Sequence, residues 1–282
     1  MLDFMENVPQ IPLAEGVTWV TDTITDIFSF IFEPIQEHFG SFMENTSNFL
    51  ASVPPIIVIL LVVIGAFFAS GKKFGLAAFS LVGLLLIYNQ EAWEQLMSTF
   101  TLVLISSLLC VIIGVPFGIL MSKSRIAQSI ITPVLDFMQT MPAFVYLIPA
   151  VAFFSIGMVP GVFASIVFAT PPTVRFTNLG IRQVSEELIE ASEAFGSTGS
   201  QKLFKVEMPM AKQTIMAGIN QTVMLALSMV VIASMIGAPG LGRDVLSALQ
   251  RAEVGSGFVA GLGIVILAII IDRFTQSLNT SK

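Results

Sequence analysis

From Phe137 to Val174 the chain reads FMQTMPAFVYLIPAVAFFSIGMVPGVFASIVFATPPTV, 38 residues without a charge. A membrane-crossing helix needs about 20 apolar residues, with ~17–25 tolerated. The stretch is too long for one crossing and long enough for two that turn tightly. Gly157-Met158-Val159-Pro160-Gly161, near its middle, supplies turn residues. The whole composition agrees: 55% of the 282 residues are hydrophobic and 11% charged, against about 25% charged in a soluble domain. Mean hydropathy is +0.87. A soluble fold of this size cannot hide so much apolar surface and keep a wettable exterior. The fold class is therefore an all-α polytopic membrane protein.

Outward from that stretch lie further uncharged runs. Val53–Ser70 ends at Lys72-Lys73. Phe74–Gln90 is short, with Glu91 and Glu94 beyond it. Gln95–Ser122 is closed by Lys123 and Arg125, and Gln213–Gly242 and Val254–Ile271 come later. Counting residues 137–174 as two, about seven transmembrane helices are expected. Basic residues concentrate on cytoplasmic loops. With the N-terminus outside, Lys72, Lys73, Lys123, Arg125, Arg175, Arg182, Lys202, Lys205, Lys212, Arg273 and Lys282 fall inside, 11 of 13, and only Arg243 and Arg251 fall outside. Seven crossings carry an outside N-terminus to an inside C-terminus. Tyr88 and Trp93 land at the outer boundary and read as interfacial belt residues.

Residues 1–52 differ in kind. They hold eight acids (Asp3, Glu6, Glu15, Asp22, Asp26, Glu33, Glu37, Glu44) and no Lys or Arg, so a secretory signal peptide is not expected. Val17, Val20, Ile24, Ile27, Phe28, Ile31, Ile35, Phe39 and Phe42 recur at helical spacing opposite Asp22, Asp26, Glu33 and Glu37. That pattern predicts an amphipathic helix, lying on a membrane surface or packed on another subunit. Pro34 predicts a kink or break in it.

Several classes drop out. One cysteine, Cys110, excludes a disulfide scaffold. A net charge of −6 excludes a nucleic-acid binder. A single histidine, His38, excludes most His-metal sites and multi-His proton relays. The phosphate-cradling pattern G-x-x-x-x-G-K-[ST] is missing, since Gly71-Lys72 is followed by Lys73. An intramembrane enzyme would need paired Asp, a Ser with a base, or a metal cluster at depth, and no such set is present. An ion-coupled secondary transporter commonly carries ionisable residues within its spans, whereas Asp136 and Asp272 sit at span ends. A plain channel for small zwitterions is the other rival.

Pro116 lies inside the third run, and Pro142 and Pro149 inside the fourth. Each removes a helix hydrogen bond, and in lipid the freed carbonyl turns to protein or to a water-lined path. Packing kinks and a translocation route both fit. Gln139, Thr140 and Tyr146 share this segment, where a path role and interhelical hydrogen bonding are both open.

Between the fifth and sixth runs the chain turns polar: Glu186-Glu187-Leu188-Ile189-Glu190-Ala191-Ser192-Glu193-Ala194-Phe195-Gly196, then Val206-Glu207-Met208-Pro209. The expected form is a helix, a glycine stop, a second short helix and a proline approaching the next span. Leu188, Ala191, Ala194 and Phe195 share a face with acids opposite. Such a helix suits docking into a partner's groove; a solvated connector has the same pattern.

This segment resembles the E-A-A-x3-G-x9-I-x-L-P motif of permease subunits of ABC importers. Glu190, Ala191, Gly196 and Pro209 match it; Ser192, Val206 and Met208 replace Ala, Ile and Leu with residues of like size. Asp136 to Pro149, Pro171-Pro172-Thr173-Val174-Arg175, Gly180-Ile181-Arg182-Gln183 and Gly237-Ala238-Pro239-Gly240-Leu241-Gly242 look like the glycine betaine/proline branch, close to Gram-positive glycine betaine importer permeases. The resemblance runs from about residue 50 to the end.

The resemblance implies a type I ABC importer permease fold in a bacterial plasma membrane. Its domains are an outside acidic segment 1–52, two peripheral helices in 53–90, a transmembrane core 95–274 with a cytoplasmic coupling loop 182–212, and a cytoplasmic tail 275–282. The chain is not an enzyme and holds no cofactor. ATP and Mg belong to a separate ATPase, expected in two copies and docked on Glu190, Ala191, Ser192, Gly196, Val206, Met208 and Pro209. A substrate-binding protein is expected as a separate chain. A second copy of this chain completes the path, with the lipid bilayer around it. The cargo is glycine betaine or a related quaternary-ammonium or proline-type osmoprotectant. Gln139, Thr140, Pro142 and Tyr146 are the candidate path residues, Tyr146 because an aromatic face attracts a quaternary ammonium.

Overall fold

The computed structural model describes residues 12–279. Eleven helices succeed one another, with no strand among the described residues. They are α1 (Leu13–Ser52), α2 (Pro55–Ala69), α3 (Phe74–Asn89), α4 (Trp93–Lys123), α5 (Arg125–Thr140), α6 (Ala143–Phe154), α7 (Met158–Arg182), α8 (Glu186–Ala194), α9 (Gly199–Ser234), α10 (Leu241–Arg251) and α11 (Val254–Asn279).

Three of these, α4, α9 and α11, are long and apolar enough to cross a bilayer alone, and two bent pairs, α1–α2 at 92° and α5–α6 at 107°, bring the number to as many as five. The apolar runs are all helical, but the expected seven crossings are not reached on length and composition. The fourth run is broken, because Pro142 cannot continue α5 and Met141 is extended before it. α3 has only 16 residues. α7 is diluted by Pro171, Pro172, Thr170, Thr173 and Arg175.

That dilution reflects where α7 sits. It is the inner helix of the bundle, with α4 on one side and α9 on the other. The approach to α4 is close because Gly114 and Gly118 of α4 face α7. A Cβ on Gly118 would lie 2.5 Å from Thr177 Cβ and 2.7 Å from the Val174 carbonyl, and one on Gly114 would lie 2.8 Å from Thr173 Cγ2. Small residues four apart are the usual device for bringing backbones together in lipid, where hydrophobic burial gives little between helices. On the other side Thr173 and Thr222 share a hydrogen bond of 2.7 Å, and Thr222 donates to the Ala169 carbonyl at 2.8 Å. Helices facing protein can carry Thr and Pro where helices facing lipid cannot.

Four sequence expectations change. The turn after α6 is Ser155–Gly157; Pro160 and Gly161 already belong to the first turns of α7, where a missing N–H costs nothing. The sixth run does not reach Gly242: α9 stops at Ser234, and Leu241–Arg251 forms the separate helix α10. Helix α1 continues through Pro34 by way of an i→i+5 turn at Ile35–Phe39, and the break falls instead before Pro54 and Pro55. Trp93 is not a belt residue. It is 6% exposed, because the end of α1 lies against α4, where Ser47 and Ser98 hydrogen-bond at 3.0 Å. Tyr88, at 53%, is exposed.

The acidic amphipathic helix α1 is held partly by its own chain. Phe32 stacks on Phe153 of α6 at 4.9 Å. Val17, Val20 and Ile27 of its predicted apolar face remain exposed.

Candidate functional site

The polar loop is built by local rules. Glu186 and Glu187 occupy the first turn of α8, where negative charge meets the positive end of the helix dipole. The helix ends at Phe195-Gly196. Gly196 has φ +77°, and the amides of Phe195, Gly196 and Ser197 return to the carbonyls of Ala191, Glu193 and Ser192 at 3.1, 2.9 and 3.1 Å. Thr198 and Gln201 then form a reciprocal cap that starts α9. Lys202 pairs with Glu193 across the turn, joining the two short arms.

The motif residues divide into two groups. Glu190, Ala191 and Gly196 are exposed, and no residue of α8 is buried. Ser192 keeps its hydroxyl on the Ile189 carbonyl at 2.8 Å, so it stays as compact as the alanine of the motif. Phe195 is 93% exposed at the tip. Val206 and Met208 are half-buried and Pro209 is exposed. The loop's return differs from expectation: there is no short helix followed by a fresh start at Pro209. α9 runs unbroken from Gly199, taking in an i→i+5 turn at Leu203–Glu207 just ahead of Pro209. An inserted residue of this kind accommodates the missing proline N–H.

Sequence reasoning missed what holds the loop. Glu207 is 3% exposed and paired with Lys123 at the end of α4. Arg182, at the loop's other root, donates to the Met121 carbonyl of the same α4 turn at 2.9 Å and to Asn178 at 2.9 Å. The available signal was an acid flanked by Val206 and Met208 next to a span, a position that asks for a buried partner.

The broken pair α5–α6 carries the other predicted residues. Gln139, Thr140 and Pro142 lie at the break, Gln139 and Thr140 exposed on the last turn of α5. Tyr146 is not exposed: its ring is buried with Leu147, Ala150, Ala164 and Met229. Its hydroxyl donates to the Met138 carbonyl. In a continuing helix that carbonyl would accept from residue 142, and Pro142 has no N–H. The structure thus gives Tyr146 a packing and bend-holding position behind the exposed face. Asp136 and Arg175 join α5 to α7 at 2.5 Å.

At the end of the molecule away from the polar loop, Gln90, Asp244, Ser247, Glu253 and Ser256 border a recess of about 480 Å³. Burial pushes the Asp244 carboxyl up, and the neighbouring Arg243 opposes that. Among the described residues no group of three or more His, Cys, Asp and Glu could hold a metal.

Residues 114–281 match the family described as binding-protein-dependent transport system inner membrane component. The chain belongs to that family. Among curated members it is 59% identical over 277 residues to the glycine betaine/carnitine transport permease protein GbuB of Listeria monocytogenes, covering 98% of each chain. It is 49% identical to the glycine betaine transport system permease protein OpuAB of Bacillus subtilis, over 99% of this chain and 98% of that one. Against ProW of Escherichia coli, a glycine betaine/proline betaine permease protein, identity is 48% over 95% of this chain and 74% of the other. The fold is similar to that of the methionine ABC transporter MetNI in an inward-facing conformation, at a TM-score of 0.57 and 22% identity over 67% of this chain and 92% of that one. This inner membrane component has the type I ABC importer permease fold, and its role is transport rather than catalysis.

Proposed function

We propose that this permease carries glycine betaine, or a related compact quaternary-ammonium or proline-type osmoprotectant, into a bacterial cell across the plasma membrane. The observation that carries the reading is the identity of 59%, 49% and 48% to permease proteins whose names all include glycine betaine, over at least 95% of this chain. Two copies of the chain pair around one path, since one polar loop serves one ATPase. Each loop docks on a separate ATPase, which holds ATP and Mg, and a separate binding protein delivers the substrate from outside. The acidic segment 1–52 lies outside and the C-terminus inside, as the distribution of Lys and Arg favours. Residues 53–90 flank the core 95–274, whose loop 182–212 faces the cytoplasm ahead of a short tail, 275–282.

The docking element is Glu190, Ala191, Ser192 and Gly196 with the exposed Phe195; Val206, Met208 and Pro209 connect it to α9. Exposed, uncharged polar groups at a broken helix support a path role for Gln139 and Thr140, with Pro142 making the break and Tyr146 holding the bend from behind. The test is uptake of labelled glycine betaine into proteoliposomes holding the permease, its ATPase and its binding protein. Uptake is expected only with ATP and the binding protein together, and to weaken in Gln139→Ala and Thr140→Ala. Uptake that tracks an imposed ion gradient without ATP would replace this reading with the ion-coupled one.

A further inference from the structure

Both roots of the polar loop converge on one turn of one helix. Arg182, where α7 ends, donates to the Met121 carbonyl; Glu207, where the loop returns, pairs with Lys123. Met121 and Lys123 belong to the last turn of α4.

The second contact is the unusual one. Glu207 is 3% exposed, and Lys123 is 39% exposed. A carboxylate that far from water needs a partner, because its desolvation is repaid only by a close opposite charge. The i→i+5 turn at Leu203–Glu207 sets its direction. One residue inserted into an α-helix rotates the remainder of the helix by about 100°, so this turn decides which way Glu207 faces. Local irregularities of this type concentrate at functional positions.

Helix α4 is suited to carry a displacement. Its 31 residues span about 46 Å at 1.5 Å per residue, more than the ~30 Å hydrocarbon core. It cannot slide freely past α7, because Gly114 and Gly118 leave no room beside Thr173 and Thr177. At its other end Thr99 accepts from the Leu241 amide at 2.8 Å, where α9 has ended and α10 begins. The loop therefore has two rigid outlets. One is α9 itself, continuous from Gly199 to Ser234. The other is α4, joined to the loop by one charge pair and one hydrogen bond.

We propose that the Lys123–Glu207 pair is a positioning link that passes movement of the polar loop to α4, so that α4 and α9 move together when the ATPase acts. The proposal rests on the docking reading above. It places no substrate or nucleotide contact on either residue.

The test uses the complete reconstituted transporter with Lys123→Gln, Glu207→Gln and the exchanged pair Lys123→Glu with Glu207→Lys. Three quantities are read: co-purified ATPase, ATP hydrolysis, and substrate moved per ATP. Both single variants are expected to keep the ATPase and to hydrolyse ATP, while substrate moved per ATP falls about 5–150-fold, the range of ordinary coupling energies. The exchanged pair should recover most of that loss. Glu207→Gln is nearly isosteric and removes only the charge that makes the pair, so its folding is the least disturbed. Normal substrate per ATP in an assembled single variant overturns the link. So does an exchanged pair that assembles and remains as uncoupled as the singles. So does a loss confined to assembly and restored by the exchange, since the pair then only holds the fold. Gly196→Val separates the two readings. If it still binds the ATPase and couples normally, the docking reading falls and the link falls with it. If it loses the ATPase while Lys123→Gln couples normally, the link alone falls.

Discussion

Gly118 and Gly196 are the same residue used for opposite reasons. Gly118 has an ordinary helical backbone and no space, with Thr177 Cβ 2.5 Å from where its own Cβ would be. Gly196 has φ +77°, and a Cβ there would meet nothing within 4 Å. The first glycine lets two helices of one chain touch. The second shapes a backbone turn that this chain leaves uncovered. The buried seam is finished within the chain, whereas the loop tip, with Phe195 93% exposed, is left uncovered by it.

The largest effect is expected at the seam. Gly118→Leu should separate α4 from α7, an overpacking cost of about 1–3 kcal/mol, occasionally more. The yield of detergent-stable permease should drop several-fold, with or without the ATPase. Normal yield would mean that the two helices can part without loss. Gly196→Val should do the reverse. It adds roughly 1–2 kcal/mol of backbone strain in a loop outside the packed bundle, so permease yield should hold while ATPase co-purification falls. Gly196→Asn sharpens this, because Asn tolerates the left-handed region. Recovery with Asn assigns the effect to φ, and continued loss assigns it to closeness of the partner.

Smaller effects belong to the charges of the tip. Glu190→Ala should lower ATPase association only slightly, since a rim charge contributes little to affinity. Lys202→Gln, in a surface pair with Glu193, should leave both yield and association unchanged. A large loss from either, measured by the same co-purification, would show that the tip is held by charge rather than by shape.

The sequence made some of this legible. Long uncharged runs announced a helical membrane protein, because no other solvent accepts them. The exposed half of the loop could also be read, since capping and glycine stops are local rules: Gly196 does terminate α8. The features that escaped depend on which element covers which. Hydropathy marked residues 137–174 as two crossings that turn near residues 157–161, yet a 107° bend already falls at Pro142, where the Met138 carbonyl is left to the Tyr146 hydroxyl. Trp93 looked interfacial until α1 folded over α4. α7 is rich in Thr and Pro because it faces protein, a fact that no average over its own residues contains. Glu207 was one more acid in an acidic loop until α4 brought Lys123 to it.

The tip of the polar loop, from Glu190 to Gly196, is the proposed docking site of the ATPase. The most direct measurement is cross-linking from single cysteines in a Cys110→Ala background, within the assembled transporter. Phe195→Cys on the loop and Trp19→Cys on α1 suit it, since both positions are well exposed, at 93% and 69%. A short thiol cross-linker should join the ATPase to residue 195 and not to residue 19, and ATP should change the yield at 195. Equal cross-linking from both positions, or none from residue 195 in a complex that still hydrolyses ATP and transports, would contradict the claim.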